Sequence, residues 1–226
     1  MVTAIIVAAG MGRRMGSAVP KQFLQLGGIP LAAHSLQAFQ EHDQVDRMVL
    51  VLPQIPPRSL ELSGYSKLTA TVEGGDSRQA SVAQGLAAVE DSDWVLIHDA
   101  ARPLVSEQLI CSVLEAAKES GAAVPACRVG DTLKKVNGQV VAGTLLREEL
   151  IQVQTPQAFR TSLAREAHEA ARRDGFLGTD DAQLVERLGR TVVWVEGSPI
   201  NLKVTTEDDL QLAAALLQAR RADRGH

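Results

Sequence analysis

The chain has 226 residues, 45% of them apolar and 22% charged, with a formal net charge of −4. That length can bury a full core in a single domain, and the acid excess argues against nucleic acid as a partner, so an anionic ligand needs a local basic site. Two cysteines in no metal spacing, Cys111 and Cys127, suit a reducing cytosol, and no stretch approaches the ~18 apolar residues of a membrane span, so a soluble cytoplasmic protein with no membrane partner is expected.

The first predicted element is a buried strand, Ala4-Ile5-Ile6-Val7-Ala8, which breaks into Ala9-Gly10-Met11-Gly12-Arg13-Arg14-Met15-Gly16-Ser17 and then Pro20-Lys21-Gln22. An uninterrupted apolar run bounded by glycine fits an inner parallel strand. Glycines let backbone N–H groups approach phosphate oxygens, and Arg13, Arg14 and Lys21 add positive charge. The spacing is neither a Walker A loop, because Met15 stands five places after Gly10 and Ser17 five after Gly12, nor a dinucleotide fingerprint, because Gly16 comes one residue late. A plain glycine turn with solvated arginines is the competing reading.

Pro30 opens a helix through Phe39, and Arg47 to Leu52 forms a strand. A proline turn at Pro53, Pro56 and Pro57 leads to a weak helix, then to a strand from Lys67 to Val72. Gly74-Gly75-Asp76 opens onto a helix through Ala88, a second strand-to-helix junction of the ligand-binding kind. The strand Trp94 to His98 ends in Asp99-Ala100-Ala101-Arg102-Pro103, and Ser106 caps a helix with the stripe Leu109, Ile110, Val113, Leu114 and Ala117.

After a strand from Ala122 to Cys127 the pattern changes. Thr132 to Val136 and Gln139 to Val141 flank Asn137-Gly138 as a hairpin. Residues 128–151 therefore form an arm, an interface element rather than a second domain. Helices resume at Thr161 to Asp174 and Thr179 to Leu188, each with a threonine N-cap. Thr191 to Val195 and Leu202 to Thr205 are strands, and Thr206-Glu207-Asp208-Asp209 caps a last helix with the stripe Leu210, Ala213, Ala214 and Leu217. Repeated βα units predict an α/β, Rossmann-like, doubly wound and mostly parallel sheet with helices on both faces and a protruding β-hairpin arm. The segments 10–21, 75–81 and 99–102 then meet at the carboxyl edge of the strands.

Asp99, ending an apolar strand beside phosphate loops, is a natural Mg²⁺ ligand, or else a turn cap. His98 points to the other face of the sheet and reads as structural. Asp76 and Ser81 read a base or ribose, or cap their helix. Lys203, in an apolar strand, needs an anionic partner.

Taken in order from Ile5 to Leu210, these motifs resemble the 2-C-methyl-D-erythritol 4-phosphate cytidylyltransferases of the non-mevalonate isoprenoid pathway. The resemblance rests on Ala8-Ala9-Gly10 through Met15, Pro20-Lys21-Gln22, Gly74-Gly75-Asp76, His98-Asp99-Ala100-Ala101-Arg102-Pro103, Asp131-Thr132, Thr155-Pro156-Gln157, Thr179-Asp180 and Asn201-Leu202-Lys203-Val204-Thr205. It implies one nucleotidyltransferase domain over residues 1–226 and a CTP-dependent, Mg²⁺-requiring homodimer whose arms embrace the partner. It further implies that Arg14 and Lys21 are catalytic, acting on the triphosphate. Ala8, Ala9, Gly10, Gly12, Gly75, Asp76, Arg78 and Ser81 would hold the nucleotide. Asp99 would bind the metal, and Asp99, Arg102, Thr132, Arg147, Thr179 and Lys203 would surround a sugar-alcohol phosphate. One departure from the family pattern is Leu146, where an acid usually precedes the arm arginine, so that role is absent or passes to Glu148. The alternatives are a ribitol-5-phosphate cytidylyltransferase and, from another class, a non-catalytic nucleotide-binding regulator. Retention of Arg14, Lys21 and Asp99 speaks against the regulator. In-line attack by a phosphate oxygen needs no side-chain nucleophile, which agrees with the absence of any nucleophile–base arrangement in the sequence.

Overall fold

The computed structural model describes residues 1–10, 20–54 and 60–224. In chain order, β1 (Val2–Val7) is followed by a one-turn 3₁₀ helix (Lys21–Phe23) and a small hairpin, β2 (Gln25–Leu26) with β3 (Ile29–Pro30), before α1 (Leu31–Glu41) and β4 (Arg47–Leu52). Next come β5 (Leu68–Glu73), α2 (Arg78–Ala87), β6 (Trp94–Asp99), α3 (Glu107–Ser120) and β7 (Ala122–Arg128). The arm is β8 (Lys134–Asn137) and β9 (Val140–Thr144), followed by a second 3₁₀ turn (Arg147–Glu149). The chain closes with β10 (Ile151–Val153), β11 (Gln157–Arg160), α4 (Thr161–Arg173), α5 (Asp181–Arg187), β12 (Val193–Glu196) and α6 (Glu207–Arg224).

The main sheet runs β10-β7-β11-β6-β1-β4-β5, with β12 added to β7. β1 pairs in parallel with β4 and β6, β5 with β4, and β12 with β7, whereas β10 and β11 are antiparallel. The central strands read as unbroken apolar runs because both faces are covered. Ala4 and Ile6 of β1 face α1 and α3 in one core cluster, while Ile5 faces α2, α4 and α5 in the other. Those alternate residues point to opposite faces of a pleated strand. The α6 stripe, with Leu210, Ala213, Ala214 and Leu217, closes a third cluster on Leu26, Leu31 and Leu104.

Several local expectations change. Residues 202–205 are not a strand: Val204 N donates to Ala101 O at 2.8 Å, and no ladder extends from that bond among the described residues. The described residues between the proline turn and β5, 60–67, carry turns rather than helix. Neither Thr161 nor Thr179 caps a helix. β11 runs directly into α4, where Thr161 N already donates to Asp93 O at 2.8 Å, and at α5 it is Asp180 that accepts from Gln183 N at 2.9 Å. A carboxylate one residue nearer the helix serves that cap as well as a hydroxyl. In the arm, Asn137 pairs with Val140 inside the ladder, so Gly138 takes the first turn position with φ +59°. That left-handed φ is where glycine is favoured.

His98 confirms its structural reading. It is fully buried, its ring 5.1 Å from that of Phe39, with Nε2 donating to Arg102 O at 3.1 Å and Nδ1 3.1 Å from Thr155 Oγ1. Burial pushes the imidazole from 6.5 down to about 4. A base whose folded pKa is depressed stabilises the fold above its unfolded pKa, and that stability is lost as pH falls toward the folded pKa. Unfolding free energy from urea titrations is therefore expected to decline between about pH 6.5 and pH 4, by roughly 3 kcal/mol in all. Stability unchanged from pH 7 to 4.5 would contradict this.

Candidate active site

At the carboxyl edge of β1, β5 and β6 lies a cavity of about 550 Å³. Its floor begins where β1 ends. Gln22, 3% exposed, donates from Nε2 to Ala8 O at 2.6 Å and to Gly10 O at 2.8 Å, so a buried side-chain amide fixes the start of the glycine loop. Lys21, in the preceding position of the same 3₁₀ turn, lines the cavity and donates from Nζ to Val204 O at 3.0 Å. Gly74 packs directly against Ala9, where an added Cβ would overlap the Ala9 methyl, so only glycine lets the two strand ends approach. Ser81, 3% exposed, accepts from Gly75 N at 3.2 Å and donates to Ser77 O at 2.8 Å. Ser77, rather than Asp76, caps α2 by accepting from Ala80 N at 3.0 Å, which leaves the Asp76 carboxylate on the cavity wall.

The charged centre is Asp99, 7% exposed at the end of β6. Its Oδ1 accepts from Arg78 Nε at 2.9 Å and its Oδ2 from Lys203 Nζ at 2.6 Å. Arg78 Nη1 in turn lies 2.8 Å from Oδ2 of Asp181, whose Oδ1 is 3.1 Å from His168 Nε2. Burial alone would raise the Asp99 carboxyl, but Arg78 and then Lys203 outweigh it and hold it well below the usual carboxylate range. Burial would likewise lower the Arg78 guanidinium, and Asp181 and Asp99 together push it up instead. Both groups are therefore charged at any ordinary pH. The partner anion expected for Lys203 is Asp99.

The cavity gathers Ala8, Ala9, Gly10, Lys21, Gly75, Asp76, Arg78, Ser81, Asp99, Thr179 and Lys203. Gly12 and Arg14 lie outside the described residues. Arg102 is not among the lining residues: its Nη1 donates to Asn201 O at 2.7 Å, and the neighbouring Ala101 lines the cavity instead. Thr132 and Arg147 are exposed on the arm, away from this cavity. Arg147 belongs to a 3₁₀ turn, where Nε donates to Glu148 Oε1 at 3.2 Å and Nη1 to Gly130 O at 2.8 Å. Glu148 is thus the acid in contact with Arg147. Sequence reasoning missed Gln22, Ser77, Thr205 and the Asp181–His168 pair. Gln22 and Thr205 carried a signal, their places in the Pro-Lys-Gln triplet and in the Asn201-to-Thr205 motif, and both line the cavity.

Magnesium requires as little as one carboxylate when substrate phosphates complete its shell, and an ionised Asp99 in this wall fits that requirement. Among the described residues no group of three or more His, Cys, Asp or Glu could hold a metal alone, and no helix is long and apolar enough to cross a membrane.

Comparison with known proteins identifies the family. A family model described as IspD: 2-C-methyl-D-erythritol 4-phosphate cytidylyltransferase matches residues 2–219. The chain is 48% identical over 224 residues to the 2-C-methyl-D-erythritol 4-phosphate cytidylyltransferase of Geobacillus kaustophilus, covering 97% of this chain and 98% of that one. The crystal structure of the Thermus thermophilus 2-C-methyl-D-erythritol 4-phosphate cytidylyltransferase superposes with a TM-score of 0.81 at 42% identity, over 95% of this chain and 98% of that one. The Francisella tularensis enzyme gives a TM-score of 0.82 at 32% identity, over 94% and 97%. With near-complete coverage in sequence and in fold, the chain belongs to the 2-C-methyl-D-erythritol 4-phosphate cytidylyltransferase family.

Proposed function

We propose that this chain transfers the cytidylyl group of CTP to 2-C-methyl-D-erythritol 4-phosphate, giving 4-diphosphocytidyl-2-C-methyl-D-erythritol and pyrophosphate, a step of isoprenoid precursor biosynthesis in the cytoplasm. The observation that carries the reading is the Asp99 carboxylate held between Arg78 and Lys203 in a cavity that Lys21, Gly10 and Gly75 also line. Two polyanions must meet there, and cations held in place by ion pairs and backbone carbonyls need little reorganisation when charge builds.

The nucleotide lies along Ala8, Ala9, Gly10 and Gly12, with the cytidine on Gly75, Asp76 and Ser81 and the triphosphate on Arg14 and Lys21. Arg78 holds Asp99 on the nucleotide side of the cavity. A phosphate oxygen of the acceptor attacks the α-phosphorus in line, forming the new P–O bond as the bond to pyrophosphate breaks. Lys21 meets the charge that develops on the phosphoryl oxygens. A Mg²⁺ ion held by Asp99 would, when bound, neutralise charge on the nucleotide phosphates.

The acceptor site is shared between subunits of a homodimer. The arm, about 128–151, exposes Val136, Val140, Val141 and Leu146 by 60 to 69%, and among the described residues β8 and β9 pair only with each other, as expected of an element that lies on a partner. Arg147 and Thr132 of one subunit then reach the Asp99, Arg102, Thr179 and Lys203 side of the other, and the arriving phosphate draws Lys203 from Asp99. Residues 1–226 form one domain.

The test is pyrophosphate release from CTP with 2-C-methyl-D-erythritol 4-phosphate and, separately, ribitol 5-phosphate. Preference for ribitol 5-phosphate would move the acceptor to the pentitol class, and no release with either would favour a regulator. Arg147→Ala and Lys203→Ala should each be nearly inactive, and mixing them should restore activity, because one of the two sites in a heterodimer carries both residues. If subunits exchange and no activity returns, the shared site is wrong.

A further inference from the structure

Loop 174–180 joins α4 to α5 and presents Thr179 to the cavity, yet it has little apolar anchoring of its own. Leu177, at its centre, is 69% exposed, and only Phe176 beside it packs against the core. Gln157 Nε2 donates to Asp180 Oδ2 at 2.8 Å and Arg187 Nη2 to Asp174 Oδ2 at 2.9 Å at its two ends, and its middle is held by the side chain of Gln79, on the first turn of α2. Its Nε2 donates to Phe176 O at 3.0 Å and its Oε1 accepts from Gly178 N at 2.8 Å. A single carboxamide thus takes the carbonyl of one residue and the N–H of the second residue after it, the pairing a neighbouring strand would offer. Gln79 does not itself line the cavity. Its chain neighbour Arg78 does, and Arg78 makes the ion pair with Asp181 at the other end of the loop. Between the two anchors, Thr179 is set by Gln183, whose Oε1 accepts from Thr179 N at 2.8 Å and from its Oγ1 at 3.3 Å.

We propose that Gln79 is a positioning residue, tying the acceptor-side loop that carries Thr179 to the helix whose first residues border the nucleotide. The inference rests on the assignment of Thr179 to the acceptor side. Two properties of the side chain fit the role. A carboxamide supplies a donor and an acceptor on two separate atoms, and asparagine would be one methylene too short to reach from the same backbone. The connection also has a direction: α2 is anchored on the sheet through Val82 and Leu86, so the loop depends on the helix and not the reverse.

Gln79→Ala and Gln79→Met are the variants to compare, since methionine keeps the length and removes both hydrogen bonds. Each is expected to raise the KM for 2-C-methyl-D-erythritol 4-phosphate about tenfold, the scale of losing hydrogen bonds to a loop, with the KM for CTP and kcat within about twofold. Hydrogen exchange read by mass spectrometry should show the 176–180 amides exchanging faster in both variants without substrate. A parallel rise in both KM values would mean a general structural role and overturn the proposal, as would normal acceptor KM in the methionine variant. Unchanged exchange at 176–180 would overturn it independently of any activity. Should the wild-type chain release no pyrophosphate with this acceptor, the functional reading falls, and the exchange measurement alone decides the tether.

Discussion

Lys21→Ala is expected to lower turnover at saturating CTP about 100- to 1000-fold while the thermal midpoint barely moves, the scale seen when one preorganised charge or donor is removed from a transition state. Lys21 is half-buried at the cavity floor and its ammonium donates to Val204 O at 3.0 Å. That bond to a partly exposed group adds little to stability. In the reaction the balance is different, because negative charge accumulates on the α-phosphoryl oxygens and on pyrophosphate next to a cation held by the 3₁₀ turn. The loss should therefore fall on kcat, with a smaller effect on the KM for CTP. Arg14→Ala is expected to act in the same direction by the family resemblance. Pyrophosphate release paired with a melting curve tests this, and near-normal kcat in Lys21→Ala would remove the basis for the proposed mechanism.

Asp99→Ala is expected to damage both activity and fold. Among the described residues, Asp99 is the one carboxylate that touches Arg78 and Lys203 together. Removing one partner of a buried ion pair typically costs about 3–5 kcal/mol, because the remaining charge is left desolvated. Here the cost should sit near the lower end, about 3 kcal/mol, since Arg78 keeps Asp181 and the Lys203 side chain, 38% exposed, can turn to water. Turnover should fall on the order of 1000-fold, because the same substitution removes the proposed metal ligand and frees two cations from their fixed positions. Adding Lys203→Ala to Asp99→Ala should cost less stability than Lys203→Ala alone, since the two residues are coupled. Full activity in Asp99→Asn would show that the carboxylate charge is not needed and would sink the metal assignment.

Much of this molecule follows from local pattern. The runs at 4–8, 47–52 and 94–98 are legible as inner strands because a strand covered on both faces must be apolar at every position. The Gly74-Gly75 junction, the Ser106 cap and the α6 stripe are likewise set by neighbours in sequence, as is the hairpin around Gly138. The candidate site is legible where its described residues sit on such junctions: Gly10, Asp76, Ser81 and Asp99.

The remainder required the third dimension. β11 has only four residues, and its burial comes from lying between β6 and β7, which nothing in its own sequence announces. The segment 202–205 looked like a strand because Val204 is apolar, but its pairing is a single backbone bond to Ala101, and strand identity belongs to a ladder rather than to a run of residues. Composition and spacing by themselves determined a mostly parallel α/β sheet and the acidic residue at the end of β6, because local sterics and burial act on short windows. Tertiary structure alone decided that Lys203 answers Asp99 across 104 positions and that Arg78 divides its charge between Asp99 and a buried Asp181. Electrostatic partners are selected by distance in space, and that distance is unrelated to separation along the chain.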